Sequence, residues 1–138
     1  MKTSPQLSGL QISVLRFLWD HGEGTVADVR DGIARDRRLA STTVATLLSR
    51  LEKRGLVDHR TEGRQFVYRA LVSESDVRSS MVGELTRRLF RGDVAAFVNH
   101  LLSSNQIEPG DLDRVKAIIA EQEEGLEGQA PAEDQEQD

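Results

Sequence analysis

The chain has 138 residues, enough for one domain or two small ones sharing a core, and it contains no cysteine, so disulfides, a thiol nucleophile and a thiolate metal site are excluded. No run of about 18 apolar residues occurs and the N-terminus lacks a basic region followed by an apolar one, so neither a membrane span nor a secretory signal is expected, which suits a cytosolic protein. The net charge of −5 divides unevenly. Residues 1–70 carry 12 Lys+Arg against 8 Asp+Glu, and residues 71–138 carry 6 against 15. A phosphate polyanion responds to the local basic face and not to the total.

In chain order, Met1 to Leu7 is a short lead expected to fray. Ser8 can cap a first helix running to about Asp20, in which Leu10, Val14, Leu15 and Leu18 keep the helical period and Trp19 packs beside them. Gly22 and Gly24 mark a turn. Thr25 reads as an N-cap, with Asp28 placed to close a capping box. Val26, Val29 and Ile33 form the buried stripe of a second helix that ends near Arg35. Asp36 to Ala40 is a short connection that delivers Arg35, Arg37 and Arg38 beside the start of a third helix.

That third helix occupies Ser41 to Leu56, STTVATLLSRLEKRGL. Val44, Leu47, Leu48 and Leu51 make one apolar stripe, and Thr42, Thr46, Ser49 and Lys53 lie on the opposite side, with Thr43 and Arg50 on a flank. Ser41 or Thr42 is the expected N-cap, and Gly55 the residue after the C-cap. Helix two, the turn and helix three read as a helix-turn-helix. A front of Thr and Arg suits a DNA major groove: threonine offers a methyl to thymine and a hydroxyl to base edges, and arginine reaches guanine or phosphate. Arg37 and Arg38 in the turn would lie against the DNA backbone. An ordinary solvated helix face is the alternative reading of the same residues.

After Gly55 the period changes to two. Leu56 to Arg60 reads as a strand, Thr61 to Gln65 as a turn, and Phe66 to Arg69 as a returning strand with Phe66 and Tyr68 on one face. A hairpin directly after a helix-turn-helix is a wing, and Arg60 and Arg64 sit near its tip. Winged helices also serve as protein-interaction modules, so a module without specific DNA binding stays open as the alternative function.

The runs Leu15-Arg16-Phe17-Leu18-Trp19, Gly22-Glu23-Gly24-Thr25-Val26 and above all Thr43-Val44-Ala45-Thr46-Leu47-Leu48-Ser49-Arg50-Leu51 resemble the penicillinase-repressor (BlaI, MecI and CopY) family. Gly63-Arg64 with Tyr68, and Leu89-Phe90-Arg91-Gly92, match as well, so the likeness covers about residues 7–120. The resemblance implies a winged-helix N-terminal domain, a helical C-terminal dimerisation domain and repression at a palindromic operator. Carried over by position, the recognition helix falls on Thr42, Thr43, Thr46 and Arg50, and the wing on Arg60 and Arg64. Some family members are released by cleavage after an Asn through a membrane metalloprotease system, which implies a regulatory protease as a partner. The matching bond here is Asn99-His100, and where the family carries Phe after the Asn this chain carries His. Both residues also read as part of a helix's polar face. The cysteine cluster of the copper-responsive branch is absent.

The second half supports a paired assembly on its own residues. Ser73, with Asp76 three residues on, can cap a long helix to about Phe90, along which Val77, Met81, Leu85 and Leu89 recur. Gly92 breaks it. Val94, Phe97, Val98, Leu101 and Leu102 line another helix, and Pro109 opens a third with Leu112, Val115, Ile118 and Ile119 in a stripe. Three short amphipathic helices cannot easily bury all of this among themselves, and a symmetric partner is the natural cover. Glu121 to Asp138 holds eight acids and no base, and an unstructured tail is expected. The resulting expectation is a mainly α chain with a small β-hairpin: a winged helix-turn-helix over 1–72, a three-helix dimerisation domain over 73–120 and a tail over 121–138. No catalytic, cofactor or metal site is expected. His21, His59 and His100 have no ligand spacing, and neither a phosphate loop nor a nucleophile motif is found.

Overall fold

Ser8 starts the first helix as its sequence suggests. Its Oγ accepts from the Gln11 N–H at 3.1 Å, and Gln11 Oε1 accepts in return from the Ser8 N–H at 3.0 Å. From there the elements run α1 (Gly9–His21), α2 (Val26–Ile33), α3 (Ser41–Lys53), β1 (Val57–Glu62), β2 (Gln65–Ala70), α4 (Glu74–Phe90), α5 (Val94–Ser103) and α6 (Pro109–Gln137). The computed structural model describes residues 6–104 and 107–137, with side chains as far as Leu126. This is the mainly helical chain with one antiparallel hairpin that the sequence implies. No helix among the described residues is long and apolar enough to cross a membrane.

The capping box of α2 is present: Thr25 Oγ1 accepts from the Asp28 N–H at 3.1 Å, and Asp28 Oδ2 accepts from the Thr25 N–H at 3.0 Å. The start of α3 departs from expectation. Neither Ser41 nor Thr42 is the N-cap; Ala40 takes that place, with extended backbone and no side-chain cap bond. Ser41 is instead the first helical residue, and its Oγ accepts from Arg30 Nη1 at 2.6 Å. A charged donor from α2 has taken the hydroxyl that would otherwise have turned back on its own helix. The other end of α3 behaves as read. Gly55 adopts φ 80°, its N–H donates to Glu52 O at 2.9 Å and the Leu56 N–H donates to Leu51 O at 3.0 Å, the two bonds of a Schellman closure.

The stripes meet in one core. Val14, Leu15 and Leu18 of α1, Val29 of α2, Val44, Leu48 and Leu51 of α3 and Val57 of β1 are each at most 1% exposed. Burial of such a side chain contributes about 1.5–3 kcal/mol before entropy is counted. Phe17 fills the space between α1 and α2, and a Cβ on Gly32 would overlap its ring. Trp19 donates from Nε1 to Val72 O at 2.8 Å, tying α1 to the segment that follows the hairpin.

The hairpin is longer than its alternation suggests. The ladder continues to Glu62 opposite Gln65, leaving only Gly63 and Arg64 as the turn, because Gly63 takes φ 62° and permits a two-residue connection. Val57, His59 and Thr61 share one face with Phe66, Tyr68 and Ala70. Asp58, Arg60 and Glu62 share the other with Gln65, Val67 and Arg69. Gly24 exchanges two backbone hydrogen bonds with Tyr68, at 2.9 and 2.8 Å, and so pins the turn before α2 to β2.

The chain divides into two compact units, Met1–Leu85 and Thr86–Asp138, so the break falls inside α4. Val77, in the first unit, is only 6% exposed. In the second unit, Asp93 Oδ1 caps α5 by accepting from the Ala96 N–H at 3.0 Å, and Pro109 is the first residue of α6. Val98, Leu101, Leu102, Ile107, Val115 and Ile118 line an apolar groove of about 420 Å³. The backbone of α6 continues to Gln137, through the stretch where an unstructured tail is expected from Glu121. Glu and Gln in that stretch favour a helix, while Gly125, Gly128 and Pro131 oppose one.

Candidate nucleic-acid interface

The back of α3 is sealed. Val44, Leu48 and Leu51 are fully buried and Leu47 nearly so. That burial fixes the helix's rotation and turns every predicted recognition residue outward: Thr42, Thr43, Thr46, Arg50 and Lys53 are all exposed. Thr46 Oγ1 donates to Thr42 O at 3.0 Å, so its hydroxyl proton is spent inside the helix. What Thr46 presents outward is therefore a methyl group and acceptor lone pairs. Arg37 and Arg38, in the connection before α3, are exposed too, and the Arg37 guanidinium lies against Gly9 at the start of α1.

Two polar links hold this helix to its surroundings. The Arg30–Ser41 bond ties its first residue to α2. At its last turn, Glu52 Oε1 and His59 Nδ1 lie 2.9 Å apart, joining α3 to β1. The His59 ring stacks on Phe66, with centroids 4.0 Å apart, and tilts against Tyr68 at 5.2 Å. Burial, with Glu52 nearby, pushes the Tyr68 phenol above its ordinary value.

The two wing arginines differ. Arg64 is exposed in the turn, and among the described residues no salt bridge engages it, nor Arg37, Arg38, Arg50 or Lys53. Arg60 is held. Its Nη1 and Nη2 donate to Glu23 at 2.7 and 3.2 Å, and its Nε and Nη2 donate to Glu62 at 2.9 and 2.5 Å. Two carboxylates thus fill the donor fork of Arg60 in the free chain. Beside it Arg69 pairs with Asp58 at 2.8 Å, which holds the Asp58 carboxyl below the usual carboxylate range.

An outward row of hydroxyls and cations on a helix whose back is buried, next to a hairpin with a cationic tip, is the arrangement of a winged helix-turn-helix. Comparison with known proteins gives it a lineage. The family described as "Penicillinase repressor" matches residues 7–121. The chain belongs to the penicillinase-repressor family. That family consists of transcriptional repressors and not of enzymes. The "Transcriptional regulator BlaI" of Mycobacterium tuberculosis is 30% identical over 129 residues, 92% of each chain. The "Penicillinase repressor" of Bacillus licheniformis is 27% identical over 121 residues, 88% of this chain and 94% of that one. A solution structure of Bacillus licheniformis BlaI, in its monomeric form with the blaP half-operator, is 34% identical with a TM-score of 0.46, covering 55% of this chain and 93% of that one.

For this penicillinase-repressor chain, sequence reading overlooked the residues that brace α3 and the wing: Glu23, Arg30, Glu52 and His59. Each was present as a charge or imidazole with no helical or strand period to give it away. Glu23 had the best available signal, an acid between two glycines in the turn that contacts the wing. Of the residues assigned to pairing, Val77 is already buried within its own chain, and Met81, Phe97 and Val115 are half-buried. Leu85, Leu89, Leu101, Leu112 and Ile119 are exposed.

Proposed function

We propose that this chain represses transcription as a homodimer that lays two copies of α3 into successive major grooves of a palindromic operator. The observation that carries the reading is the division of α3: a fully buried apolar back and a wholly exposed front of Thr42, Thr43, Thr46, Arg50 and Lys53. Membership of a repressor family agrees with it. Arg50 and Thr46 read base edges, while Arg37, Arg38, Lys53 and Arg64 meet phosphate. Phosphate contacts supply much of the affinity, so binding weakens steeply as salt rises. The exposed leucines and isoleucines of α4, α5 and α6 form the subunit contact.

Gel-shift titration on the chain's own upstream DNA and on a scrambled duplex tests this. Arg50→Ala and Thr46→Ala should reduce binding to the matched site more than to the scrambled one. Equal losses would assign both residues to phosphate alone. Sedimentation of the free protein should give a dimer, and a monomer at all concentrations would reject the pairing. A regulatory protease acting at Asn99-His100 is the route of relief that the resemblance implies. That bond lies inside α5, so cleavage needs local unwinding of the helix. Blotting cells exposed to a β-lactam decides it: a fragment ending at Asn99 supports cleavage, and an intact chain during induction rejects it.

A further inference from the structure

We propose that Glu23 and Glu62 act as built-in substitutes for phosphate on Arg60, so that these two acids hold down the wing's sequence-independent affinity for DNA. This rests on the DNA-binding reading above and adds to it a restraint on backbone affinity.

The geometry is that of an occupied anion site. Arg60 directs Nη1 and Nη2 at the two oxygens of Glu23, at 2.7 and 3.2 Å, and Nε and Nη2 at Glu62 Oε2, at 2.9 and 2.5 Å. Those four bonds use four of the five N–H donors of a guanidinium, the fork that otherwise binds phosphate. The trio carries a net charge of −1, so an approaching DNA backbone meets repulsion where an open arginine would attract it. The same wing face repeats the pattern: Arg69 is taken by Asp58 at 2.8 Å, and both pairs border a cleft of about 280 Å³ with Val67 at its side.

The trio is not a buried structural bridge. The side chains of Arg60, Glu23 and Glu62 are 49%, 51% and 58% exposed, so water and phosphate can reach them. Exposed pairs of this kind add little to folding, which leaves the arrangement free to serve binding. Arg60 holds the Glu23 carboxyl below the usual carboxylate range, so the acid stays charged at neutral pH. Arg64 at the tip is engaged by no salt bridge among the described residues, so the wing offers DNA one open cation where its sequence offers three, Arg60, Arg64 and Arg69. Attraction of this kind is shared by every DNA site, so silencing one cation lowers the affinity for operator and background alike and flattens the salt dependence.

The test uses the full-length chain, the matched and scrambled duplexes, and a series of KCl concentrations. In E23Q/E62Q the plot of log affinity against log salt should steepen by about 0.9, the value of one added phosphate contact. Affinity for the scrambled duplex should rise by about the same factor as that for the matched one. Adding R60A to that pair should return the slope to the wild-type value, and R60A alone should leave it there. E62Q alone, which keeps the Glu23 turn intact, should move the slope in the same direction and stands in should the double variant fail to fold. An unchanged slope in folded E23Q/E62Q, a steeper slope that survives R60A, or a slope lowered by about 0.9 in R60A alone each overturns the proposal. Wild-type protein with no salt-sensitive binding to either duplex overturns the DNA-binding reading itself, and this proposal with it.

Discussion

Leu48 of α3 and Ile118 of α6 occupy comparable places in the apolar stripes of their helices, yet Leu48 is fully buried and Ile118 is 54% exposed. In the first unit, α1, α2, α3 and the hairpin close around a shared core. In the second, α5 has no buried residue at all, and Leu89, Val94 and Ile118 are more than half exposed. A period of 3.6 therefore says that a helix has an apolar side. It does not say whether the cover comes from the same chain or from another.

The largest effect that could break this contrast is in the closed core. Leu48→Ala should cost about 2–5 kcal/mol, read by urea unfolding through Trp19 fluorescence, because the cavity forms where no solvent reaches. A loss below about 1 kcal/mol would mean the core under α3 is looser than its burial implies. The counterpart is Ile118→Arg. It should leave the first unit's unfolding unchanged and raise the dissociation constant of the proposed dimer by about a hundredfold or more, since an unpaired charge in an apolar contact costs several kcal/mol. Sedimentation at graded dilution reads it, and undiminished pairing would remove the α5–α6 groove from the proposed contact.

Smaller changes sharpen the picture of the first unit. Gly32→Ala should lower stability by about 1–2 kcal/mol: overpacking against Phe17 outweighs a gain of about 1 kcal/mol in helix propensity. A higher Tm would show that the ring yields. The smallest expected effect is Ala40→Ser. It places a hydroxyl at the uncapped start of α3 and should gain about 0.5–1 kcal/mol in thermal unfolding, whereas removing the Thr25 cap should cost about as much. A destabilised Ala40→Ser would mean the new side chain cannot reach the free N–H groups of the first turn.

Much of the fold could be read in advance because the forces that set it act over a few residues. Ser8 and Thr25 cap the helices that follow them, Gly55 closes α3 through the left-handed backbone it alone tolerates cheaply, and Val44, Leu47, Leu48 and Leu51 fall on one side of a helix by geometry. The exposed front of α3 follows from the same arithmetic, since whatever opposes the buried stripe must face out. Even the wing was legible from its alternation, although its length was not, because only the turn angle at Gly63 settles how far the ladder runs.

The interface's bracing was a different matter. Arg60 and Glu23 are 37 residues apart, and nothing in either neighbourhood tells an arginine that it will be taken by an acid and not left for DNA. Ser41 could cap its own helix until α2 brought Arg30 within 2.6 Å of it. Periodicity and the caps of α1 and α2 are decided by neighbours along the chain, and the local order of residues suffices to foretell them. The pairing of an exposed charge depends on which distant side chain the fold delivers first, and on small free-energy differences at a solvated surface, so it is settled in three dimensions alone.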